Sequence, residues 1–384
     1  MEGPRAAYLA ELKKVEDMTN RVFRSHSKSN PNMFQEFPLL FGKDNIENIR
    51  IIAEDEKPVA NINYLPQVLS IYGHSVNVAT LGGVGTLEEY RGRGHGTLLL
   101  NDCIRRMTNE QDIDLLFVSG NRNMYRTAGC MPAGQMYTFK VEFEDFPEVS
   151  SSNIKYLKYD EKDLTEWKRL YDSESVRYVR NNENFNTLIK SMKFIERNTI
   201  TRHDLLLNDG LFNIAYVVFK IENNEGKIVE YAGSKQTIID ELPNIMKAYS
   251  LLSMQGYIMP YDTDLYNHCI VKGIKMQGRR LGGTVRIIDF NSLMKRLKPY
   301  FSELYPENFI NELKFESEGE NIKFIYKNDY CIVQGYETQN NLVFGGEELD
   351  RSSLFIKGDE SHFIDLFKHI FPIPYPYTGN LSYV

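Results

Sequence analysis

Val84-Gly85-Thr86-Leu87-Glu88-Glu89-Tyr90-Arg91-Gly92-Arg93-Gly94-His95-Gly96-Thr97 follows an apolar run from Val76 to Val84 and precedes Leu98, Leu99, Cys103 and Met107 at helical spacing. A strand, a glycine-rich turn and a helix are expected in that order. The alternate glycines at 92, 94 and 96 remove each Cβ that would keep a bulky anion off the backbone. Free N–H groups at the start of the Thr97 helix, with its dipole, favour a diphosphate, and Arg91 and Arg93 add positive charge there. A triphosphate-binding loop would need Gly-Lys followed by Ser or Thr. A dinucleotide fold would place its glycines after the first strand of a βαβ unit, with an acidic residue about 20 positions on; neither pattern is present.

Upstream, the periodicity predicts a helix to about Phe23, then irregular aromatic chain around Phe34, Phe37 and Phe41. An antiparallel meander follows, with strands at Ile49–Ala53, Val59–Tyr64 and Gln67–Tyr72 separated by turns that include Leu65-Pro66. Downstream, Asp114–Val118 is a short apolar run of the buried-strand kind. From about Ile154 the pattern starts again. Helices are expected at Leu164–Tyr171, Phe185–Ile195 and Leu242–Leu252, and strands at Leu205–Leu207, Phe212–Ile221, Ile228–Ala232 and Gly256–Met259. Asp264-Leu265-Tyr266 with Gly273 and Gly278 echoes Asn123-Met124-Tyr125 with Gly129 and Gly134, which reads as a diverged duplication whose second copy lacks the glycine loop. A third, α+β unit begins near Val285. Its helices are expected at Phe290–Leu304 and Ser361–Ile370, and its strands at Leu313–Glu316, Ile322–Tyr326, Cys331–Tyr336 and Asn341–Phe344. The chain closes on residues 371–384, where prolines at 372, 374 and 376 alternate with apolar and aromatic residues; this is an extended stretch too apolar for a solvated tail.

A length of 384 residues fits two or three folded units at roughly 150 residues each. With 42% hydrophobic and 25% charged residues the chain can bury a core and keep an ordinary surface. A formal charge of −7 argues against nucleic acid and anionic membrane as partners. No apolar run approaches the roughly 18 residues that span a bilayer, and the N-terminus lacks a signal-peptide pattern, so a cytoplasmic protein is expected. Cys103, Cys130, Cys269 and Cys331 are too widely spaced for a CxxC pair and have no spaced histidines, so neither a metal site nor a disulfide framework is expected.

The loop resembles that of the GNAT acetyltransferase superfamily, whose motif Arg/Gln-x-x-Gly-x-Gly/Ala is met by Arg91, Gly94 and Gly96. The resemblance implies acetyl-CoA as cosubstrate. Its pyrophosphate would lie on Arg91, Gly92, Arg93, Gly94, His95, Gly96 and Thr97, and its pantetheine along Val84, Gly85 and Thr86. The whole layout resembles the Eis-like acetyltransferases, on Val285-Arg286-Ile287-Ile288-Asp289 before an apolar helix and on Tyr125-Arg126-Thr127-Ala128-Gly129. That branch implies an α+β, mixed α/β chain of tandem GNAT domains: a catalytic domain at 1–148, a degenerate GNAT domain at 149–284 and a sterol-carrier-protein-like domain at 285–384. It also implies Tyr125 as general acid, the Val384 carboxylate as general base, and assembly into a homo-oligomer.

The chemistry of amine acylation fits these roles. An alkylamine with a pKa near 10 is nucleophilic in only about one molecule in 10³ at pH 7, so its proton needs an exit through a nearby carboxylate. A phenol keeps its proton at neutral pH and can give it to the departing thiolate. For the base, Val384 competes with Glu88 and Glu89, and Phe34, Phe37 and Phe41 are candidates to line the acceptor pocket. The expected activity is N-acetylation of a small-molecule or peptide amine, with no nucleic acid, membrane or metal required. The alternative is a regulatory protein that binds CoA without turnover.

Overall fold

The computed structural model describes residues 1–24, 32–146, 148–149, 151–194, 199–346 and 351–382. The chain opens with β1 (Glu2–Ala6), α1 (Leu12–Phe23), α2 (Met33–Glu36), α3 (Pro38–Phe41), β2 (Ile49–Glu54), β3 (Lys57–Ile71), β4 (His74–Thr86), α4 (His95–Glu110), β5 (Leu115–Val118), α5 (Asn123–Thr127) and β6 (Gln135–Glu142). Its middle holds β7 (Lys155–Lys158), α6 (Leu164–Asp172), β8 (Val176–Tyr178), α7 (Asn182–Lys190), β9 (Ile200–Asn208), β10 (Asn213–Glu222), β11 (Glu225–Gly233), α8 (Lys235–Asp240), α9 (Leu242–Ala248), β12 (Ser253–Ile258), α10 (Thr263–Val271), β13 (Met276–Arg280) and β14 (Thr284–Ile287). Last come α11 (Phe290–Leu304), α12 (Glu307–Glu312), β15 (Lys314–Glu318), β16 (Asn321–Tyr326), β17 (Asp329–Gln334), α13 (Tyr336–Phe344), β18 (Leu354–Lys357) and α14 (Glu360–Ile370).

The expected mixed α+β class is what the strands build. The first sheet runs β1-β2-β3-β4-β5-β14, with β8 also on β3; the second runs β13-β6-β12-β11-β10-β9-β7; the third is β15-β16-β17-β18. The first two sheets repeat one plan, an antiparallel meander ending in a parallel pair, β4 with β5 and β11 with β12. Each parallel pair is then closed by an antiparallel strand from the other half of the chain: β14 on β5, and β6 on β12. Thus Val285–Ile287, expected to open the third unit, completes the first sheet, and β6, which falls within the expected 1–148 unit, lies in the second. Strand pairing follows edge complementarity, which sequence proximity does not report.

Two local expectations are corrected. Leu65-Pro66 is no turn, because β3 runs unbroken through it with Pro66 opposite Ala79. On the other edge β2 ends its pairing at Asn63 and β8 begins at Leu69, so the proline sits where no outer strand needs its missing N–H. Asn341–Phe344 is the end of helix α13 rather than a strand. Gln339, Asn340, Leu342, Val343 and Phe344 are all buried there, and a helix covered on most sides loses the one-sided period that marks helices in sequence. The third unit docks through this helix: Asn340 Nδ2 donates to the carbonyls of Val285 (2.7 Å) and Met131 (3.0 Å).

Among the described residues no helix is long and apolar enough to cross a membrane. All four cysteines are buried, unpaired thiols.

Candidate active site

β4 and β5 pair in parallel from Val78–Leu115 to Leu81–Val118, where β5 ends. β4 continues from Gly82 to Thr86 with β3 as its one paired strand among the described residues, so its far edge has no strand on it and is open to an extended amide chain. This is where Val84, Gly85 and Thr86 lie. The β3–β4 register shifts between Asn61 and Asn63. Gly83 takes φ +59° there, and a Cβ on it would meet Phe41 Cζ at 2.6 Å and Asn63 Nδ2 at 2.7 Å. Asn63 Nδ2 donates to the Gly83 carbonyl at 3.0 Å, and Asn61 Nδ2 donates to Thr19 Oγ1 at 3.1 Å. The side-chain oxygens of both asparagines are buried and unpaired among the described residues.

Beyond β4 the chain turns into the loop. Gly92 and Gly94 hold φ of +77° and +79°, and nothing lies within 4 Å of a Cβ added to either. Gly94 is the N-cap of α4, and the first helical bond there is Leu98 N–H to the Gly94 carbonyl at 3.0 Å. The amides of His95, Gly96 and Thr97 are left facing the loop without a helical acceptor. Arg91 Nε donates to the Thr86 carbonyl (3.3 Å) and Arg93 Nη2 to the Glu89 carbonyl (3.1 Å), so both guanidiniums are tied to the loop while remaining exposed. The His95 side chain turns inward instead, 4% exposed, with Nε2 at 3.5 Å from Glu54 Oε1. Only its backbone amide serves the loop.

Tyr125 sits on α5, beside the N-terminus of α4: a Cβ on Gly96 would meet Met124 Sδ at 3.1 Å, and one on Gly120 would meet the Tyr125 ring at 2.8 Å. The tyrosine is 4% exposed, and its hydroxyl has no hydrogen-bond partner among the described residues. Burial pushes its phenol up from the ordinary value, with Arg122 opposing weakly, so it stays protonated through the neutral range.

The C-terminal segment returns from the third sheet and runs inward. Tyr375 donates to the Ala133 carbonyl at 2.7 Å, and Tyr377 stacks on Tyr257 with ring centroids 3.7 Å apart. Leu381 N–H donates to Glu230 at 3.2 Å, and Ser382 Oγ accepts from Arg180 Nε at 2.8 Å. Gln67 Nε2 contacts both the Ser382 carbonyl (3.3 Å) and Thr80 Oγ1 (2.9 Å). Thr80 lies one residue before the β4–β5 pairing stops. Val384 itself lies outside the described residues.

Of the rival bases, Glu89 is exposed and paired with Arg21 at 3.1 Å, and Glu88 is exposed on the same turn. Phe34 and Phe41 stack at 4.4 Å beside Gly83, and the Phe37 ring lies 5.7 Å from Lys193 Nζ. Sequence reasoning missed Asn61, Asn63, Gln67 and Thr80. The signal was present in Asn61-Ile62-Asn63, where two amides share one face of a strand that is otherwise apolar.

The second sheet has the same splay without the same site. After β11, the Gly233 N–H and Lys235 Nζ are both held by the Glu174 carboxylate (3.0 and 2.6 Å), and Ser234 caps the start of α8. Around the start of α8 a protein carboxylate and a serine cap hold groups of the chain, whereas the amides of residues 95–97 at the start of α4 have no such partner among the described residues.

No curated protein sequence matches the chain. Among solved structures, a GCN5-related N-acetyltransferase from Anabaena variabilis ATCC 29413 superposes with TM-score 0.67 at 13% identity, covering 99% of each chain. A probable N-acyltransferase from Enterococcus faecalis V583 gives 0.66 at 15% identity over 96% of each chain. Eis1 from Mycobacterium abscessus gives 0.63 at 11% identity, covering 98% of this chain and 99% of its own. These likenesses establish a shared fold along the chain. The acetyltransferase (GNAT) domain model matches residues 4–133, the stretch that contains the open β4 edge, the glycine loop and Tyr125. The chain therefore carries a GNAT acetyltransferase domain over residues 4–133.

Proposed function

We propose that the protein is an acetyl-CoA-dependent N-acetyltransferase acting on a primary amine of a small molecule or peptide. The observation that carries this reading is the row of unpaired amides at 95–97 beside the bare edge of β4. In this reading the diphosphate rests on the loop between Arg91 and Thr97, and the pantetheine amides pair with Val84–Thr86. The amine lone pair attacks the thioester carbonyl, and the tetrahedral intermediate collapses with cleavage of the C–S bond. Tyr125 gives its phenolic proton to the departing sulfur, and the ammonium proton leaves to the Val384 carboxylate.

The last role draws support from Gln67, whose amide meets both the Ser382 carbonyl and Thr80 Oγ1 on β4. The buried oxygens of Asn61 and Asn63 are suited to hold water along that proton path. We further assign an Eis-like division of labour, with a catalytic GNAT unit, a GNAT-like unit that has lost its loop, and a sterol-carrier-protein-like unit delivering the tail. A cytoplasmic setting is supported by the four unbridged thiols.

The test is thiol release from acetyl-CoA in the presence of polyamines, aminoglycosides and lysine peptides. Turnover with any of them upholds the reading; CoA binding with no turnover across the panel replaces it with a regulatory role. Tyr125→Phe is expected to lower kcat by about 10²-fold or more while leaving KM for acetyl-CoA nearly unchanged. Equal kcat would remove the phenol from the mechanism. Adding residues beyond Val384 is expected to lower kcat without shifting the unfolding midpoint. Full activity of the extended chain would exclude the terminal carboxylate.

A further inference from the structure

The second sheet carries an open face whose charge runs against that of the molecule. Reading the pairing straight across, Lys220 on β10 lies opposite Lys227 on β11, Lys227 opposite Gln255 on β12, and Gln255 opposite Lys140 on β6. Phe139 pairs with Met276, which puts Lys275 in line with Lys140 one rung on. Four lysines and a glutamine thus form one row on one face, and Arg279, opposite Met136, lies on the same face four rungs along the strand. Like charges directly opposite one another destabilise a sheet, and an anion held over the row would offset that cost.

A cavity of about 540 Å³ lies over this row, lined by Lys140, Lys227, Lys275 and Arg279, with Tyr257 and Tyr377 as an aromatic wall. None of its described lining residues is a carboxylate. Lys140 is held at the rim by Glu142 (3.0 Å) and Glu225 (3.1 Å), and Arg279 contacts Gln277 Oε1 at 3.0 Å. Lys227 and Lys275 have no anionic partner among the described residues. Desolvation against the sheet, followed by the like charges of Lys220 and Arg279, holds the Lys227 ammonium below its ordinary range.

We propose that this cavity is a second anion site, separate from the glycine loop, for a small molecule that carries two or more phosphates and a planar ring. Strands about 4.8 Å apart put the Lys227 and Lys140 backbones about 10 Å from each other, a span that lets their side chains close on a di- or triphosphate from two sides. Tyr257 and Tyr377, stacked on each other, line one side of the cavity and give a planar ring an aromatic wall to pack against. The volume lies within the roughly 300–1,000 Å³ of small-ligand sites. Because Tyr377 lies on the segment whose Ser382 carbonyl meets Gln67 of β3, an occupant here touches the same stretch of chain that reaches the first sheet.

Calorimetry with ATP and with inorganic pyrophosphate at low salt tests the proposal on the full chain, using wild type, Gly94→Glu, and the double variant Lys227→Gln/Lys275→Gln. The expected result is ATP binding that persists in Gly94→Glu, falls at least tenfold in the lysine variant, weakens as salt rises, and exceeds pyrophosphate binding. Two results overturn it: no heat from millimolar ATP in Gly94→Glu, or ATP affinity unchanged by the lysine substitutions. A lysine variant that changes the mass of the particle in solution while ATP binding is absent would make this face a contact between copies, and also overturns it.

Discussion

Gly94→Glu is expected to weaken CoA binding by at least about 100-fold, roughly 2.8 kcal/mol, without unfolding the protein. The space in front of Gly94 is empty of protein, so a side chain there meets the ligand and not the core. Its carboxylate would lie at the N-terminus of α4 and satisfy the same amides that are free for a diphosphate. The φ of +79° adds strain of about 1–3 kcal/mol for any residue with a Cβ. Gly94→Ala separates the two effects, since it carries the strain without the charge. Both variants should lose stability in thermal unfolding, the glutamate somewhat less because its carboxylate meets the helix amides, while only the glutamate should lose CoA in calorimetry. Unchanged CoA affinity in Gly94→Glu would take the loop out of the site.

The second large effect is on stability. Glu230 accepts two hydrogen bonds from Arg180 (2.9 and 2.6 Å), one from Tyr216 (2.9 Å) and one from the Leu381 amide (3.2 Å), with both charged side chains at most 4% exposed. Burial alone would raise the carboxyl's pKa, but Arg180 and these hydrogen bonds outweigh it and hold it below the ordinary range. Glu230→Gln leaves the Arg180 guanidinium buried without its counter-charge, at an expected cost of about 3–5 kcal/mol in urea unfolding. Replacing both partners together with apolar residues should recover much of that loss, because the orphaned charge goes too. Activity should fall in both cases, since Arg180 and Glu230 hold Leu381 and Ser382. For wild type the sign with pH follows from the depressed pKa. The contribution of Glu230 is complete above the unfolded-chain value of about 4.3 and is lost as pH falls through the lower folded value. A Glu230→Gln variant with wild-type stability would mean the pair adds nothing net.

The strand, loop and helix of residues 76–110 were legible because their signals are local. Glycines at alternate positions, an apolar run before them and a helical period after them lie within some thirty residues of each other, and each has a mechanical meaning by itself. Tyr125 was singled out by resemblance rather than by pattern. What stayed hidden depends on residues far apart in sequence. Pro66 reads as a turn until the pairing on both edges of β3 is known. Val285–Ile287 reads as the start of a unit because nothing local says that it pairs with Leu115–Phe117. The lysine row is invisible in sequence for the same reason, since Lys140, Lys220, Lys227 and Lys275 become neighbours only through the register of the second sheet.

The exchange of β6 and β14 between the first two sheets bears on how the polypeptide can be made and cut. When a ribosome has released residue 148, β5 still lacks its outer neighbour and β6 has no sheet to join, so the GNAT portion cannot be finished until residue 287 has emerged. An excised fragment ending near 148 would expose one bare edge and one orphan strand, both adhesive to other chains. The smallest piece that completes the first sheet is set by this interlock rather than by the limits of residues 4–133.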